Sequence, residues 1–436
     1  MVFRKDDTVK IILTLFARFI FIILFGITSL SCKSGSGKVQ IDFWAFGAEA
    51  EHVQKLTDEF EKLNPGIKVK VQAIPWTAAH EKLITAYASE TTPDLVQLGN
   101  TWIPEFVALN SLEDLDKWIK SSSKVDEKRF FPGIWQTNII DGKVFGIPWY
   151  VDTRVLFYRT DILSKAGYTL PPKTWQQLYD VSLKIKKMYG SKDKYAFFIP
   201  TNEWAPFIIF GLQAGASLLK DNNSYGNFSD PKFAEAFKFL IKFYKEKLAP
   251  VDMTQVSNLF QAFATGFFAM YITGPWNVTE FKNRLPDSLQ NSWMTAPLPA
   301  YNGNSYPGQS LAGGSSLVMF KASKHKPEAW KLIEFLTGRS SQIQFFKLSS
   351  DLPAVDDAWH DTLLTGNKFL KAFYVQLQNV IPTPKVPEWE HIVSGKVQQY
   401  AEFAARGMMS PDKALKLLDR DADIILAKRR WILSRK

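Results

Sequence analysis

An early stretch of the chain alternates between two hydrophobic periodicities, and this alternation restricts the possible folds more than any other feature. Apolar residues recur at every second position in 39–44 and in 67–74, which is typical of strands. Between them, residues 49–63 carry apolar side chains every third or fourth position, as in an amphipathic helix. A second helix is predicted at 80–89 and a third strand at 93–98. This order predicts an α/β fold with a parallel sheet.

Tryptophan marks the carboxyl end of each of these three predicted strands. The ends correspond to residues 44–49, 75–76 and 99–102, and each contains a Trp. Ligands of parallel sheets bind beyond the carboxyl ends of the strands. Indole rings stack on the apolar face of a pyranose and leave the sugar hydroxyls for carboxylates and amides. Core packing explains any one Trp equally well, so the set is the stronger indication.

A polar pair interrupts what otherwise reads as nearly continuous strand. Residues 147–151 are predicted to be extended and 155–158 to form a buried strand, with Asp152 and Arg154 between them. A charge at such a place must be paired or must face a cleft. Two explanations therefore stay open, a salt bridge that braces a hinge and a contact with a ligand, and both can hold.

Length and charge restrict the class of protein. A chain of 436 residues is too long for one ordinary core, so two lobes are expected. The net charge of +10 is spread along the chain, with its densest cluster at 428–430. Because no basic stripe carries interleaved aromatics, nucleic acid is not an expected partner. A solvated cationic surface explains the charge, and attraction to an anionic membrane surface is a secondary possibility.

The N-terminus has the pattern of an export signal. Residues 1–31 combine early positive charges, a short apolar run at 19–27 and small residues, which predicts a signal peptide rather than a spanning helix. Cys32 is the only Cys and stands where a lipoprotein carries its lipid, although Ser29 replaces the usual Leu. Residues 32–38 would form a flexible tether. A structural thiol is the alternative for Cys32.

Several motifs, taken in order, resemble a known family. They are Ile41-Asp-Phe-Trp44, the stretch from Glu59 to Val69 with its Asn-Pro-Gly turn, Pro93 to Phe106, the crossing at Gly146 to Leu163, the turn Gly274-Pro275-Trp276 and the segment Leu311 to Phe320. Together they resemble the extracellular solute-binding proteins, a large sugar-binding family that includes the maltodextrin-binding proteins of ABC importers. The resemblance runs from Val39 to the C-terminus, and the series is specific where no single motif is.

The resemblance implies a two-lobed periplasmic-binding-protein fold of the α/β class with about three crossings between the lobes. Lobe 1 is expected to comprise residues 39–150 and 313–357, and lobe 2 residues 151–312 and 358–436. Such lobes close by a hinge motion, here around a carbohydrate.

The implied ligand-binding residues come from both lobes and from the crossings. They are Glu49, Trp76, Asn100 and Trp102 in the first lobe, Trp204, Trp276 and Trp389 in the second, and Tyr150, Asp152, Arg154, Gly313 and Gly314 at the crossings. The Trp rings would stack on sugar, Glu49 and Asp152 would accept hydrogen bonds, and Arg154 would donate. The two glycines allow either close approach to a ligand or a strand bulge. Where many family members carry Asp, this chain has Gly99 beside Asn100.

The function implied by the resemblance is the carbohydrate-binding subunit of an ABC importer. Its partners would be the sugar, the transmembrane permease subunits and the membrane, reached through a lipid on Cys32, and the protein would act as an exported, membrane-anchored monomer on the periplasmic or cell-surface side. No cofactor, metal or catalysis is expected, because the five His residues are scattered and no phosphate loop is present. The alternatives are an exported glycoside hydrolase or lyase, and an adaptor that presents a ligand to a membrane receptor.

Overall fold

The structure is a computed structural model that describes residues 37–190 and 193–435. The predicted signal peptide at 1–31 and the predicted lipidation site Cys32 lie outside these residues. The described strands are β1 (Val39–Phe46), β2 (Ile67–Ile74), β3 (Leu95–Gly99), β4 (Ile139–Ile140), β5 (Lys143–Val144), β6 (Ile147–Asp152), β7 (Val155–Arg159), β8 (Tyr195–Phe198), β9 (Leu219–Lys220), β10 (Tyr225–Gly226), β11 (Phe268–Thr273), β12 (Trp293–Ala296), β13 (Ser310–Leu311), β14 (Gly313–Met319), β15 (Leu352–Pro353) and β16 (Val380–Ile381).

Helices connect these strands and close the chain. The α-helices are α1 (Glu49–Leu63), α2 (Trp76–Ala88), α3 (Ile103–Ala108), α4 (Asp116–Ser121), α5 (Pro132–Gln136), α6 (Thr160–Lys165), α7 (Trp175–Tyr189), α8 (Ala205–Gln213), α9 (Pro231–Lys245), α10 (Leu259–Ala264), α11 (Trp276–Arg284), α12 (Lys326–Leu336), α13 (Arg339–Ser349), α14 (Thr362–Thr365), α15 (Lys371–Leu377), α16 (Gln398–Ala405), α17 (Pro411–Ile425) and α18 (Ala427–Leu433). Shorter turns of 3₁₀-helix include Asn100–Trp102, and a π-helix at His391–Val397 leads into α16.

The first large sheet contains the strands that the sequence predicted near the N-terminus. Within the described residues its order is β15-β6-β14-β3-β1-β2. Strand β1 runs parallel to β2 and β3, which confirms the predicted strand-helix-strand pattern. The returning strand β14 is antiparallel to both β3 and β6, so the sheet is mixed rather than purely parallel. One face packs under α1, α12 and α13, and the other face packs against α2 and α3.

The second large sheet has the order β12-β7-β11-β8 in the described part of the chain. Strand β7 is antiparallel to β11 and β12, and β11 is parallel to β8. Strand β6 belongs to the first sheet and β7 to the second, so the chain passes between them through Thr153 and Arg154. The predicted two-lobed α/β fold is confirmed. Strand β6 extends past the predicted lobe bound at residue 150, and the bounds themselves stay a prediction.

Polar side chains cap several of the helices. Thr174, Asp230 and Ser410 each accept a hydrogen bond from a backbone N–H of the helix that follows. One helix begins earlier than predicted: α2 starts at Trp76, directly after Pro75, rather than at His80. The first turn of α2 lacks the apolar period of a helix. Its Trp76 ring packs edge-on against Phe46, with the ring centroids 5.1 Å apart.

Two kinds of feature, a helix able to cross a membrane and a group of metal-ligating side chains, are absent from the described residues. None of the helices in residues 37–190 and 193–435 has the length and apolar character that a membrane crossing demands. In the same residues, no three His, Cys, Asp or Glu side chains are grouped so that they could hold a metal ion.

Candidate functional site

A cavity of about 410 Å³ opens where the two large sheets meet. Its volume lies in the range of small-molecule sites. Eleven of the twelve predicted ligand-binding residues line it, namely Glu49, Trp76, Asn100, Trp102, Tyr150, Asp152, Arg154, Trp204, Trp276, Gly313 and Gly314. The sequence therefore identified eleven members of the cavity wall, and the structure adds further members and the contacts between them.

A hydrogen-bond network fixes Glu49 on the first-lobe side of the cavity. The buried Tyr150 hydroxyl donates to Glu49 Oε1 at 2.9 Å and accepts from Gln97 Nε2 at 2.9 Å and Ser315 Oγ at 3.0 Å. Trp76 Nε1 donates to the same Glu49 oxygen at 3.4 Å. Burial, together with repulsion from Glu49, raises the pKa of Tyr150 well above its usual value. Tyr150 therefore stays a neutral donor and orients the carboxylate.

Two indole rings form the wall beside Glu49, and the buried Phe46 ring packs behind them. The Trp76 and Trp102 centroids lie 5.7 Å apart at 68°, and Phe46 packs edge-on against Trp76. Such edge-to-face contacts hold the rings in place. A Cβ at Gly47, where φ is +58°, would lie 2.7 Å from Trp76 Cδ1 and 2.8 Å from Glu49 Oε2. Glycine at this turn allows both side chains to approach the backbone.

Asp152 and Arg154 form an ion pair at the crossing. Arg154 Nη1 donates to Asp152 Oδ1 at 2.8 Å, and the guanidinium lies 4.6 Å from the centre of the Trp276 ring. The Arg154 backbone also exchanges two hydrogen bonds with the Ser310 hydroxyl. The salt bridge that the sequence left open is therefore present. Both side chains also line the cavity, with 29% of Asp152 and 17% of Arg154 exposed, so ligand contact stays a prediction.

The two predicted glycines lie at a bulge in β14. The pairing of β14 with β6 shifts register between Ser315 and Ser316. At Gly314, φ is +119° and a Cβ would lie 2.3 Å from the Tyr150 carbonyl oxygen. A Cβ at Gly313 would lie 2.6 Å from Asp152 Oδ1. The close backbone approach of β6 therefore requires glycine at position 314, whereas Gly313 leaves room for the Asp152 carboxyl group. Both glycines lie beside the bulge, and both line the cavity.

The second-lobe wall is more open. Trp276 is the first residue of α11 and is 47% exposed, with Arg154 over one face of its ring. Trp204 stands at the N-cap of α8. Pro275 and Thr383 complete this side of the cavity. Both indole rings line the same cavity as the first-lobe residues.

The prediction for Trp389 is corrected by the structure. Its side chain is 0% exposed and packs in the hydrophobic core of the second lobe, away from the cavity. The next residue, Glu390, lines the cavity instead. The prediction chose the right segment, but adjacent residues there face opposite ways. Burial raises the pKa of Glu390 above its usual value, and a hydrogen bond from Thr101 and the charge of His80 offset part of this rise.

Asp351 is a cavity residue that the sequence did not indicate. It lies between α13 and β15, and β15 pairs with Val151 and Tyr150 of β6. Burial, followed by repulsion from Glu49, raises the pKa of Asp351 to about 8. In the sequence, Asp351 stands directly before the short strand β15, and no local pattern marks it as a cavity residue.

Known proteins resemble this chain over most of its length. The sugar-binding protein MalE from the phytopathogen Xanthomonas citri superposes with a TM-score of 0.88 and 47% sequence identity, covering 91% of this chain and 100% of that one. The galactooligosaccharide-binding protein of Bacillus subtilis is 26% identical, covering 89% of both chains. The diacetylchitobiose binding protein DasA of Streptomyces coelicolor is 25% identical, covering 80% of both.

A family model extends this likeness to a whole group of proteins. The model of the bacterial extracellular solute-binding proteins matches residues 47–343, which is more than half of the chain and includes the crossing at Asp152 and most of the cavity wall. The match confirms the resemblance that the motifs indicated. The chain belongs to the bacterial extracellular solute-binding protein family.

Proposed function

We propose that this chain is the carbohydrate-binding subunit of an ABC importer, which captures a sugar or oligosaccharide between its lobes and delivers it to a membrane permease. One observation carries the proposal: a single cavity combines exposed indole rings from both lobes with hydrogen-bonding carboxylates. A sugar presents apolar ring faces and rows of hydroxyls, and this wall complements both. The sugar-binding relatives support the same ligand class.

In this proposal the aromatic side chains stack on the sugar rings, and the polar side chains form hydrogen bonds with the sugar hydroxyls. Trp76 and Trp102 would contact the sugar from the first lobe, and Trp204 and Trp276 from the second. Glu49 and Asp152 would accept hydrogen bonds from hydroxyls, while Arg154 would donate. The backbone of Gly313 and Gly314 would approach the sugar closely.

Asn100 offers a further donor to the ligand. Its Oδ1 accepts a hydrogen bond from Ser316 Oγ at 3.1 Å, which orients the amide. Its Nδ2 is buried and finds no hydrogen-bond partner among the described residues. A buried amide without a partner costs free energy, and a sugar hydroxyl in the cavity would satisfy it. We therefore assign Asn100 Nδ2 as a donor to the sugar.

Capture would follow from closure of the lobes. Sugar held against the first-lobe wall would gain further contacts when Trp204 and Trp276 approach, and this gain would shift the population toward the closed form. The short connection at Thr153 and Arg154 is suited to such a hinge, because few residues need to change conformation.

We also propose how the protein is placed in the cell. The signal peptide at 1–31 would direct export, Cys32 would carry a lipid, and residues 32–38 would tether the lobes to the membrane. The protein would act there as a monomer, without cofactor or catalysis, beside the transmembrane permease subunits. The extracellular assignment of the family supports export, and replacing Cys32 with Ala should release the protein from membranes.

Isothermal calorimetry tests the ligand class. The purified protein is titrated with maltotetraose, a galactooligosaccharide and diacetylchitobiose, and its melting temperature is measured with each sugar. A sugar at 100 times its Kd should stabilise the fold by about 2.7 kcal/mol. The proposal fails if no neutral sugar produces heat or raises the melting temperature.

One observation favours a second function, an exported glycoside hydrolase. The acid Asp351, with its raised pKa, faces the carboxylate Glu49, and glycosidases use two carboxyl groups of unequal pKa. The same three sugars distinguish the functions. Release of reducing ends beyond one equivalent of protein indicates hydrolysis, whereas saturable binding without new reducing ends indicates a binding protein.

A further inference from the structure

Asp351 occupies an unusual place in the cavity wall. Strand β15 pairs antiparallel with β6, with Leu352 opposite Val151 and Pro353 opposite Tyr150. Continuing this register places Asp351 next to Asp152, at the end of β6 where the chain leaves the first sheet. Both carboxyl groups line the same cavity. The fold therefore brings two acids together from segments almost 200 positions apart in the sequence.

The ionisable groups that face Asp351 provide no cation to pair with it. Among the described residues that line the cavity, Arg154 is the one cationic side chain. Its guanidinium already forms a hydrogen bond with Asp152 and lies over the Trp276 ring. The groups around Asp351 are Glu49 at the start of α1, Asp152 and the Tyr150 phenol on β6, the Ser349 hydroxyl at the end of α13, and Thr279 of α11, which bonds Ser350. Lys347, on the last turn of α13, is exposed to solvent.

The other two acids have partners that stabilise their charge. Glu49 accepts hydrogen bonds from Tyr150 and Trp76, and Asp152 accepts one from Arg154. Asp351 has the Ser349 hydroxyl alone to offset its burial and the repulsion from Glu49 and Asp152. Burial and like charges both favour the neutral form of a carboxyl group. These surroundings therefore favour the neutral, protonated form of Asp351.

We propose that Asp351 is a specificity-determining residue of the cleft, and that it binds an uncharged sugar as a neutral carboxylic acid that donates a hydrogen bond to a sugar oxygen. The inference rests on the proposed function and deepens it. A neutral carboxyl both donates and accepts, whereas Glu49 and Asp152 only accept. Together the three acids match the mixed donors and acceptors of a polyol. Uronates and sugar phosphates are disfavoured, because Glu49 and Asp152 repel a second anion.

This arrangement gives sugar binding a defined pH dependence. Above the pKa of about 8 that Asp351 has in the free protein, a proton must be taken up before the sugar binds. Affinity is then constant between pH 6 and 7 and weakens about tenfold between pH 7 and 9. A sugar that carried an ammonium group would show the opposite trend, because an ionised Asp351 would attract it.

Three variants test the proposal by calorimetry at pH 6, 7, 8 and 9, with maltotetraose, the galactooligosaccharide and diacetylchitobiose as probes. Asp351→Asn keeps a donor and an acceptor, so binding at pH 6 should stay within about threefold of the parent and should no longer depend on pH. Asp351→Ala should bind about tenfold more weakly at every pH. Asp58→Asn, an exposed acid on α1, is the matched control and should keep the profile of the parent.

A measurement without sugar tests the proton itself. Because the folded protein holds a proton on Asp351 that the unfolded chain releases near pH 4, its stability falls as the pH rises from there toward the folded value. The melting temperature of Asp351→Asn should therefore exceed that of the parent by a gap that grows by about 5 °C between pH 5 and 8. Asp58→Asn should show a gap that does not change with pH.

The outcomes separate the two hypotheses. A parent Kd that is flat from pH 6 to 9, or Asp351→Asn binding as weakly as Asp351→Ala at pH 6, overturns the role of Asp351 and leaves the proposed function intact. If none of the three sugars binds, the proposed function loses its support. If the difference in melting temperature between Asp351→Asn and the parent also stays constant with pH, the neutral state of Asp351 is overturned as well. Tighter binding of these uncharged sugars at higher pH would also overturn the role of Asp351 as a hydrogen-bond donor.

Discussion

The two walls of the cleft are constructed differently. On the first-lobe side, Glu49 is fixed by Tyr150, and Trp76 is wedged between Phe46 and Trp102. On the second-lobe side, Trp276 is 47% exposed and lies against Arg154. The first wall has its geometry before a ligand arrives, so it loses little conformational entropy on binding. The second wall keeps freedom that closure around a ligand removes.

The strongest way to break this contrast is to deform the backbone under the first wall. In Gly314→Ala, the new Cβ would meet the Tyr150 carbonyl oxygen at a φ of +119°. Destabilisation of about 3 kcal/mol or more is expected, measured by urea unfolding. Gly142→Ala is the control, because Gly142 also has positive φ (+78°) but open space around it, and should cost about 1 kcal/mol. Equal losses would contradict the clash.

Removing the exposed ring of the second wall should affect binding and leave folding nearly unchanged. Trp276→Ala should weaken binding of whichever tested sugar the protein holds by about 100-fold, because stacking area is lost. Its unfolding free energy should change by less than about 1 kcal/mol, since the ring is half exposed. Trp431→Ala, at a similarly exposed ring near the C-terminus, is the control for calorimetry. Unchanged binding in Trp276→Ala would remove that residue from the site.

A smaller and mixed effect is expected from Tyr150→Phe. The variant keeps the ring but removes the hydroxyl that donates to Glu49 and accepts from Gln97 and Ser315. Because buried partners lose their bond, stability should fall by about 1–2 kcal/mol and sugar affinity by roughly tenfold. Thermal unfolding and calorimetry on the same samples measure both. An effect on stability alone would mean that Tyr150 supports the sheet without positioning Glu49.

The smallest effect concerns His80, behind the first wall. Its hydrogen bond with Glu105, at 2.6 Å, raises the pKa of His80 above its usual value. A raised His pKa stabilises the fold below about pH 6.5, and that contribution is lost as the pH rises through the folded value. The melting temperature of the parent should exceed that of His80→Gln at pH 5.5 by more than at pH 8. The side chain is a third exposed, so the difference should stay below about 1 kcal/mol.

Local patterns made much of the fold predictable. Helix α1 begins at Glu49 and ends at Leu63 as predicted, and β2 spans Ile67–Ile74, because each has a strong period and a clear stop. The first turn of α2 was missed, since Trp76 packs against Phe46 rather than along a helical stripe. Hydrophobic periodicity predicts a helix from its one buried face. This prediction fails where an aromatic ring lies off that face and lines a cavity.

The site was predictable in membership but not in its interactions. Trp276 and Glu49 were found through family-like motifs and strand ends, and both line the cavity. Trp389 was predicted wrongly, because no local pattern indicates which of two adjacent side chains faces the core. Asp351 was missed, because its raised pKa arises first from burial and then from Glu49 and Asp152, and tertiary structure alone buries it beside them.

The ion pair at the crossing has a consequence for how such a protein can change during evolution. Asp152 ends the last strand before the crossing and Arg154 precedes the first strand after it, so the bond between them lies at the connection between the lobes. The same two side chains line the cavity. A substitution there that alters the preferred ligand should also alter the rate at which the lobes reopen. We therefore expect the preferred ligand and the rate of its release to change together when either residue of this pair is substituted.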